Sequence, residues 1–597
     1  MHQPTAEPRR SIYYNYRVHD VTPLPTEATV VPALIVGAGP IGLVTALGLA
    51  QQGVHCVLIE AERQVSEGSR AIVFTRRSME ILQQAGAADA VVKHGLPWRF
   101  GNSFYRGQRV FRMEAPHSDD ERFFPMTNLQ QQYLEEYLLD AVAKQPLIEQ
   151  RWGHKVTAVL QNDDAADRVE LEIDTPHGPY KQVARWVVAA DGARSALRTL
   201  CDLKLEGAAY AGQFVIADIK IALPLPTERL AFFDPAWNPG NTVLMHREPG
   251  DIWRIDYQLP PNESPEQALQ AESLAARINA QLAMIGHAGT PWQMDWSSVY
   301  SARALTLPDY LHQRIAFVGD AAHLLPIFGV RGANTGLQDA QNLAWKLGLT
   351  LRHLGGPGLM ESYSTERVAA AREIINEAGK STRFMTPPSR GFRLLRDAVL
   401  SLSLTQDFVR PLYHWRTSRP HEYSQSTLNA LDDDNALFSS GPAKGAVLPN
   451  QRLGDDDFLL DHLCGAAAGN FTLLLFDVAP DATLLACCQR WRERGVPLQV
   501  LQVAQALTAP TGADGVDGVD GVDGVILDAG GRVAQGLGAP PTGAYLLRPD
   551  QHVCGRWLTL SAAQLDGALA CALDRHCPTD TIDTTETARI ATTGTRA

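Results

Sequence analysis

The sequence predicts an α/β protein. A Rossmann-like nucleotide-binding domain is interrupted by an inserted mixed β-sheet, and a smaller α/β domain follows at the C-terminus. Three observations predict this. Residues 34–60, LIVGAGPIGLVTALGLAQQGVHCVLIE, read as strand, glycine turn, helix and strand. Residues 213–300 are strand-rich and aromatic, with Pro and Gly punctuation, before a buried strand resumes at Ile315–Val318. From about residue 446, strands and helices begin to alternate again.

In the first element the apolar run Leu34–Val36 enters Gly37-x-Gly39-x-x-Gly42 directly. Gly37 permits the sharp turn, Gly39 lets a pyrophosphate approach the backbone, and Gly42 lets helix and strand pack closely. The helix N-terminus that follows offers free N–H groups to phosphate. Glu60 closes the second strand, 18 residues after Gly42, where a carboxylate can accept hydrogen bonds from a ribose diol. This stretch predicts a dinucleotide site without saying which dinucleotide.

The remaining elements follow in order. Residues 1–28 are polar and Pro-rich, with Tyr13, Tyr14 and Tyr16 clustered, and read as an extended arm packed on the body. An amphipathic helix is expected over Arg76–Ala85, short strands over 98–127, a helix over Asn128–Val142, and three strands over 154–190. A long helix is expected over Gly336–Leu354, with its start near Asn334 or Thr335. Further helices fill 360–416, and 417–445 reads as a linker. The ADGVDGVDGVDGV repeat at 513–525 spaces Asp every third residue, unlike a calcium loop, and reads as a solvated loop. The Thr-rich end reads as disordered.

Composition bounds the partners. The net charge of −13 disfavours nucleic acid or an anionic membrane. There is no long apolar run and no signal-like N-terminus, so a cytoplasmic location is expected, with no membrane partner. The eight cysteines include no CxxC, and the adjacent Cys487 and Cys488 read as core filling. No metal site is expected.

Two further motifs sharpen the first. Val187-Val-Ala-Ala-Asp191-Gly192-Ala-Arg194-Ser195-x-x-Arg198 is a strand ending in Asp-Gly. Gly319-Asp320-Ala-Ala-His323 follows another strand and leads into Phe328-Gly-Val-Arg331-Gly332-Ala333-Asn334 and a helix. A helix N-terminus there would point partial positive charge at a ligand in front of it. The three motifs, in this order over residues 30 to about 400, resemble the single-component FAD-dependent aromatic hydroxylases, the para-hydroxybenzoate and phenol hydroxylase-like flavoprotein monooxygenases. Asn128-Leu-Gln-Gln131-Gln-Tyr133-x-Glu135 and the loop from Phe328 to Asn334 are most similar to the 3-(3-hydroxyphenyl)propionate and 3-hydroxybenzoate hydroxylase-like members. The later segment is similar to the thioredoxin-like tail of phenol hydroxylase and its relatives, without CxxC.

The resemblance implies a division of the chain: an arm (1–28), an FAD-binding domain in two parts (29–206 and 301–416, the second with a helical segment), a substrate-binding sheet (207–300), a linker (417–445), a thioredoxin-like domain (446–577) and a disordered tail (578–597). It implies that Gly37, Gly39 and Gly42 hold the FAD pyrophosphate and Glu60 the adenosine ribose. Arg70 and Gln131 would contact the ribityl and phosphate portion, Asp191 and Gly192 the pyrophosphate region, and Gly319 and Asp320 the ribityl hydroxyls. Gly332, Ala333 and Asn334 would line the pyrimidine edge of the flavin. The implied chemistry uses NADH or NADPH, O2 and a flavin C4a-hydroperoxide to hydroxylate a phenol, with an aromatic acid expected as substrate and a homodimer as the assembly. Candidates for the group that activates the phenol are His246, Tyr257 and Tyr210; His246 also reads as a surface turn residue and the two tyrosines as packing, while Arg254 reads as the partner either of a substrate carboxylate or of a neighbouring acid. His323 reads either as a flavin neighbour or as a structural histidine. A Baeyer–Villiger or epoxidising monooxygenase, or a non-catalytic flavin-binding protein, stays open on the same scaffold.

Overall fold

Five strands lie side by side and parallel at the heart of the first sheet: Ile315–Phe317, Tyr180–Ala189, Val30–Val36, Cys56–Glu60 and Ile148–Trp152. The Val, Ile, Leu and Ala runs of Val30–Val36 and Cys56–Glu60 and at the end of Tyr180–Ala189 fit strands covered on both faces, whereas the outer strand Ile148–Trp152 (IEQRW) is only partly buried. The computed structural model describes residues 1–27, 29–160, 167–260, 263–326, 328–413, 420–506 and 522–575. Most of the 513–525 repeat and the whole 578–597 tail fall outside these residues, as does the side chain of Tyr210. Among the described residues no helix is long and apolar enough to cross a membrane.

Two helices cross against this sheet, Pro40–Gln51 and the 20-residue Gly332–Leu351. Their contact explains a glycine inside the first helix: a Cβ on Gly48 would lie 2.6 Å from the Ala344 Cβ. The long helix starts at Gly332, earlier than its apolar periodicity suggests. The expected Asn128–Val142 helix starts at Gln131, because Met126–Asn128 pairs with Val73–Thr75 and Leu96–Trp98 in a small sheet.

The second sheet has eight strands, in the order His323–Leu324, Gln293–Thr306, Glu206–Lys220, Ile252–Gln258, Thr242–Glu248, Arg229–Phe233, Phe100–Tyr105 and Gln108–Glu114. It is mixed, since Arg229–Phe233 runs parallel to Phe100–Tyr105 while its other pairs are antiparallel. Strand alternation gives it two different faces. One buries Val215, Val243, Ile255 and Tyr257 under the helix Ala271–Met284. The other carries Phe214, Leu244, Arg254 and Asp256 toward the first domain.

The third sheet packs Phe471–Phe476, Leu498–Ala504 and Gly524–Leu527 in parallel, with Ala544–Leu547 and Val553–Trp557 antiparallel beside them, giving the small thioredoxin-like α/β unit. Cys487 and Cys488 are buried in its core, and burial raises both thiols to about 11, so they fill space.

Candidate functional site

The glycine turn separates three requirements. A Cβ on Gly37, at φ +110°, would lie 2.4 Å from the Ala190 carbonyl oxygen, and one on Gly42 would lie 1.9 Å from that of Gly37. These two glycines are demanded by the protein itself. Gly39 is different: its φ is −72° and a Cβ there meets nothing within 4 Å. Neither conformation nor packing calls for glycine at 39, so the open space before it fits a ligand that approaches the backbone. The helix beginning at Pro40 has no side-chain cap and no acid in its first turn, which leaves its N–H groups open to an anion. Glu60 supports the turn, with Oε2 accepting from the Ala38 N–H at 2.8 Å and Oε1 from the Glu62 N–H at 3.0 Å. Burial raises its carboxyl, partly offset by these two bonds.

Asp191 and Asp320 come together from the ends of adjacent parallel strands. Arg198 ties their turns, donating to the carbonyls of Ala193 (2.7 Å), Ala321 (2.9 Å) and Asp320 (3.3 Å). One Asp191 oxygen accepts from the Leu197 N–H at 3.0 Å, while Oδ1 is buried without a protein partner. Gly192, at φ +77°, makes the Asp-Gly turn that follows. Burial raises the carboxyl of Asp320, and His323, Arg70 and Arg198 pull it back. Yet its surface is open to solvent, so it is a group walled into a cleft rather than a core residue. Gly319, at φ +57°, sits under it and donates to Asp339 at 3.1 Å.

Asp339 organises this turn from the long helix. It accepts from His323 Nε2 at 2.6 Å and from Arg367 Nε at 2.6 Å. His323 is fully buried in this contact and resolves as a structural histidine. The side chain of Asn334 is likewise engaged within the protein. Its Oδ1 accepts from the Thr75 N–H (2.8 Å) and Ser78 Oγ (2.5 Å), and its Nδ2 donates to the carbonyls of Val73 (2.9 Å) and Val330 (3.0 Å). The side chain thus ties the helix start to its neighbours, and only the backbone of Asn334 remains for a ligand. Gly332 repeats the logic of Gly39, since a Cβ there meets nothing within 4 Å. Ala333 lies between them, partly buried. Val330 just before is held at φ +63°, a strained conformation for a β-branched residue that turns the loop into the helix.

The segment carrying Arg70 is held from two sides. Gln131 Oε1 accepts from the Ala71 N–H at 3.1 Å, and Glu135 accepts from the Ser66 N–H and hydroxyl at 2.6 and 2.7 Å. Arg254 reaches across from the second sheet, donating to the Arg70 carbonyl at 3.0 Å, to Ser69, and to Asp218 Oδ1 at 3.0 Å. Of the two sequence readings of Arg254, pairing with a neighbouring acid is the one observed. Arg70 itself stays exposed, facing the cleft near Asp320.

The proposed phenol-activating residues separate. Tyr257 lies on the helix-covered face of the second sheet, 0% exposed, edge-on to Trp237 with ring centroids 5.7 Å apart. Alternation along Ile252–Gln258 turns it away from Arg254 and from the cleft. His246 does face inward, opposite Arg254 in strand register, but burial together with Arg229 and Arg254 holds its imidazole well below the ordinary range. It is a neutral imidazole there, with Nδ1 buried and without a protein partner. Sequence reasoning missed Asp256, which shares the Arg254 face, although the alternation WRIDYQ contained that information. Beyond it an aromatic wall of Phe214, Tyr300 and Phe328 joins the sheet to the loop before Gly332. The Phe214–Tyr300 centroids lie 5.7 Å apart and the Phe214–Phe328 centroids 5.3 Å apart.

The open places before Gly39 and Gly332, the orphaned Asp191 oxygen and the cleft carboxylate of Asp320 fit an extended cofactor with phosphates at one end and a flat ring at the other. The family described as FAD binding domain matches residues 30–378. A 3-(3-hydroxy-phenyl)propionate/3-hydroxycinnamic acid hydroxylase of Mycolicibacterium smegmatis is 27% identical over 550 residues, covering 90% of this chain and 92% of that protein. The enzyme of the same name from Paraburkholderia xenovorans is 28% identical over 369 residues, spanning 61% of this chain and 57% of its own length. Among solved structures, the flavin-dependent monooxygenase PieE in complex with FAD and substrate superposes with a TM-score of 0.74 at 23% identity, over 92% of this chain and 100% of that one.

Proposed function

This chain belongs to the FAD-binding-domain family and is an FAD-dependent monooxygenase; on that premise we propose that it hydroxylates a phenolic aromatic acid using NADH or NADPH and O2. The observation that carries the reading is the second sheet's inner face. It sets an aromatic wall and buried charged side chains between the two loops, Ser69–Arg70 and Phe328–Gly332, that border the cofactor cleft.

When bound, FAD supplies acceptance of a hydride from the nicotinamide donor and activation of O2 for transfer of one oxygen atom. The chain's own residues do the rest. The Gly37–Gly42 turn and the helix after it would hold the pyrophosphate, Glu60 the adenosine ribose, and Asp320 the ribityl hydroxyls. The N–H groups at the start of the Gly332–Leu351 helix would hold the pyrimidine end of the flavin and would favour negative charge there. Phe214, Phe328 and Tyr300 orient a flat ring and keep water from it. The substrate class is taken from the hydroxylases named above, and the domain boundaries and homodimer expected from the sequence are part of the same proposal.

The test is direct. The purified protein is expected to be yellow. Oxidation of NADH or NADPH should accelerate with 3-(3-hydroxyphenyl)propionate or 3-hydroxycinnamic acid, and oxygen uptake should match a product heavier by one oxygen atom. A colourless protein that FAD does not reconstitute, or donor oxidation that yields only hydrogen peroxide with every phenol, would overturn the reading.

A further inference from the structure

We propose that Asp256 is the catalytic base of this site, its carboxylate accepting the hydroxyl proton of a phenol laid between the Ser69–Arg70 loop and Phe328. The proposal rests on the hydroxylase reading above.

Position is the first argument. Asp256 shares a strand face with Arg254, two residues before it, and Arg254 holds the Ser69–Arg70 loop. Two residues after it, Gln258 pairs with Phe214, whose ring stands edge-on to Phe328. The carboxylate therefore lies on the floor between the two cofactor-side segments. The second argument is its hydrogen bonding. Asp218, on the neighbouring strand, is satisfied by Arg254 and by the Ser69 hydroxyl. Asp256 is only 7% exposed, yet among the described residues no hydrogen bond reaches its carboxylate. Neither Asp256 oxygen is among the unpartnered atoms sealed from solvent, in contrast to both Glu248 oxygens, so the carboxylate meets open space from which a ligand's hydroxyl can reach it.

The groups around it set its proton affinity. Arg254 and Asp218 face it, as do Arg229, His246, Glu248 and Tyr300 from the other strands of the sheet. Burial raises its carboxyl to about 7, with Asp218 adding and Arg254 and Arg229 offsetting. A base poised there is about half ionised at neutral pH and able to take a proton. The alternatives are weaker: His246 is held neutral well below its ordinary range, Tyr257 faces away, and burial and Asp256 push Tyr300 well above the ordinary tyrosine range. In the step, the phenol O–H bond breaks and the proton goes to an Asp256 oxygen. The electron pair stays on the phenolate oxygen, and solvent later removes the proton.

Two measurements test this. Binding of 3-(3-hydroxyphenyl)propionate and of its methyl ether, which has no proton to give, is followed by the perturbation of flavin absorbance. The wild-type protein is expected to prefer the phenol by about tenfold or more, and Asp256→Asn to lose most of that preference while keeping its FAD. Hydroxylation by the wild type should rise with pH through about 7 and then level, because the base acts ionised. Asp256→Asn should hydroxylate on the order of a hundredfold or more slowly. It should also lack that limb and recover partly with a more acidic fluorinated phenol. Equal wild-type affinity for phenol and ether, or a variant with the wild-type rate and pH limb, would overturn the proposal; the ether comparison needs no variant to fold. If no phenol is hydroxylated but the preference for phenol still depends on Asp256, the hydroxylase reading fails while the proton-accepting contact stands.

Discussion

Gly39 and Gly42 sit three residues apart and answer to different masters, which makes them separable by substitution. Ala at 42 drives a Cβ to 1.9 Å from the Gly37 carbonyl oxygen, so Gly42→Ala is expected to destabilise the apoprotein by about 1–3 kcal/mol, read from a urea titration. Ala at 39 meets only open space, so Gly39→Ala should change apoprotein stability by less than about 1 kcal/mol, the difference of a poorer helix cap. Yet it should weaken FAD binding by about tenfold or more, read from flavin fluorescence. Equal behaviour of the two variants would show that the space before Gly39 is not a ligand's. Asp320→Ala is expected to leave a folded protein without bound FAD, and full flavin occupancy after purification would remove its assigned role. These glycines and carboxylates were legible in the sequence because their geometry is local: a turn, a strand end and a helix start lie within a few residues of each other. Tyr257 and Asp256 were not separated because their roles depend on which face of a strand meets which domain. The period-2 pattern carries half of that answer and the fold the other half. Asn334 shows the converse, a residue in the expected place whose side chain is occupied by neighbours some 260 positions earlier, at Val73 and Thr75.

At the scale of elements, the second sheet holds the loop beside the cofactor cleft chiefly through Arg254, with Asp218 accepting from the Ser69 hydroxyl. Arg254 leaves the Ile252–Gln258 strand and holds the Ser69–Arg70 loop while pairing with Asp218, with Glu248 3.7 Å away. Arg254→Met removes the cation from a buried acidic cluster, and the expected cost is about 3–5 kcal/mol in unfolding free energy. Adding Asp218→Asn should restore part of that loss, whereas Arg254→Lys should not rescue the loop, because a point charge cannot replace a planar fork with three partners. A variant as stable as wild type would show that the loop is held by other contacts, chiefly those of Gln131 and Glu135. Helix and strand identities were readable from periodicity in the first domain, but ends were not. The Gln131–Val142 helix loses its expected first turn to a three-stranded sheet whose partners lie about 30 and 50 residues away in sequence. Likewise, the Phe100–Tyr105 strand joins the second sheet through a parallel pair with Arg229–Phe233, a connection that no local pattern announces.

For the whole molecule, the C-terminal unit is fastened to the flavin-side helices by a buried ionic cluster, and this sets how the protein should respond to acid. Arg548 grips Glu366 with both terminal nitrogens, at 2.7 and 2.9 Å, and Asp550 at 2.6 and 3.0 Å. Lys346 reaches Glu366 at 2.7 Å, and Asn342 and Trp345 of the same helix reach Asp550 at 3.2 and 3.1 Å. Arg77 adds bonds to the Asp550 carbonyl and to Gln551. Asn342, Trp345 and Lys346 all lie on the Gly332–Leu351 helix, so the domain without a CxxC is anchored to that helix. Burial alone would raise the carboxyls of Glu366 and Asp550, but Arg548, with Lys346 and His552, outweighs it and holds both below the ordinary carboxylate range. Arg367 and His323 do the same for Asp339. A carboxylate with a depressed folded pKa contributes stability that is fully present above its unfolded value, about 4, and is lost as pH falls through the folded one. Thermal midpoints are therefore expected to hold between about pH 5 and 7 as far as these groups are concerned, and to fall steeply below about 4. Arg548→Met should lower stability by about 3–5 kcal/mol at neutral pH. It should also flatten the acid limb, because Glu366 and Asp550 then lose the charge that made their ionisation favourable. Acid limbs of equal slope in the two proteins would mean that the loss in acid arises elsewhere, and that this cluster does not couple the C-terminal unit to the rest.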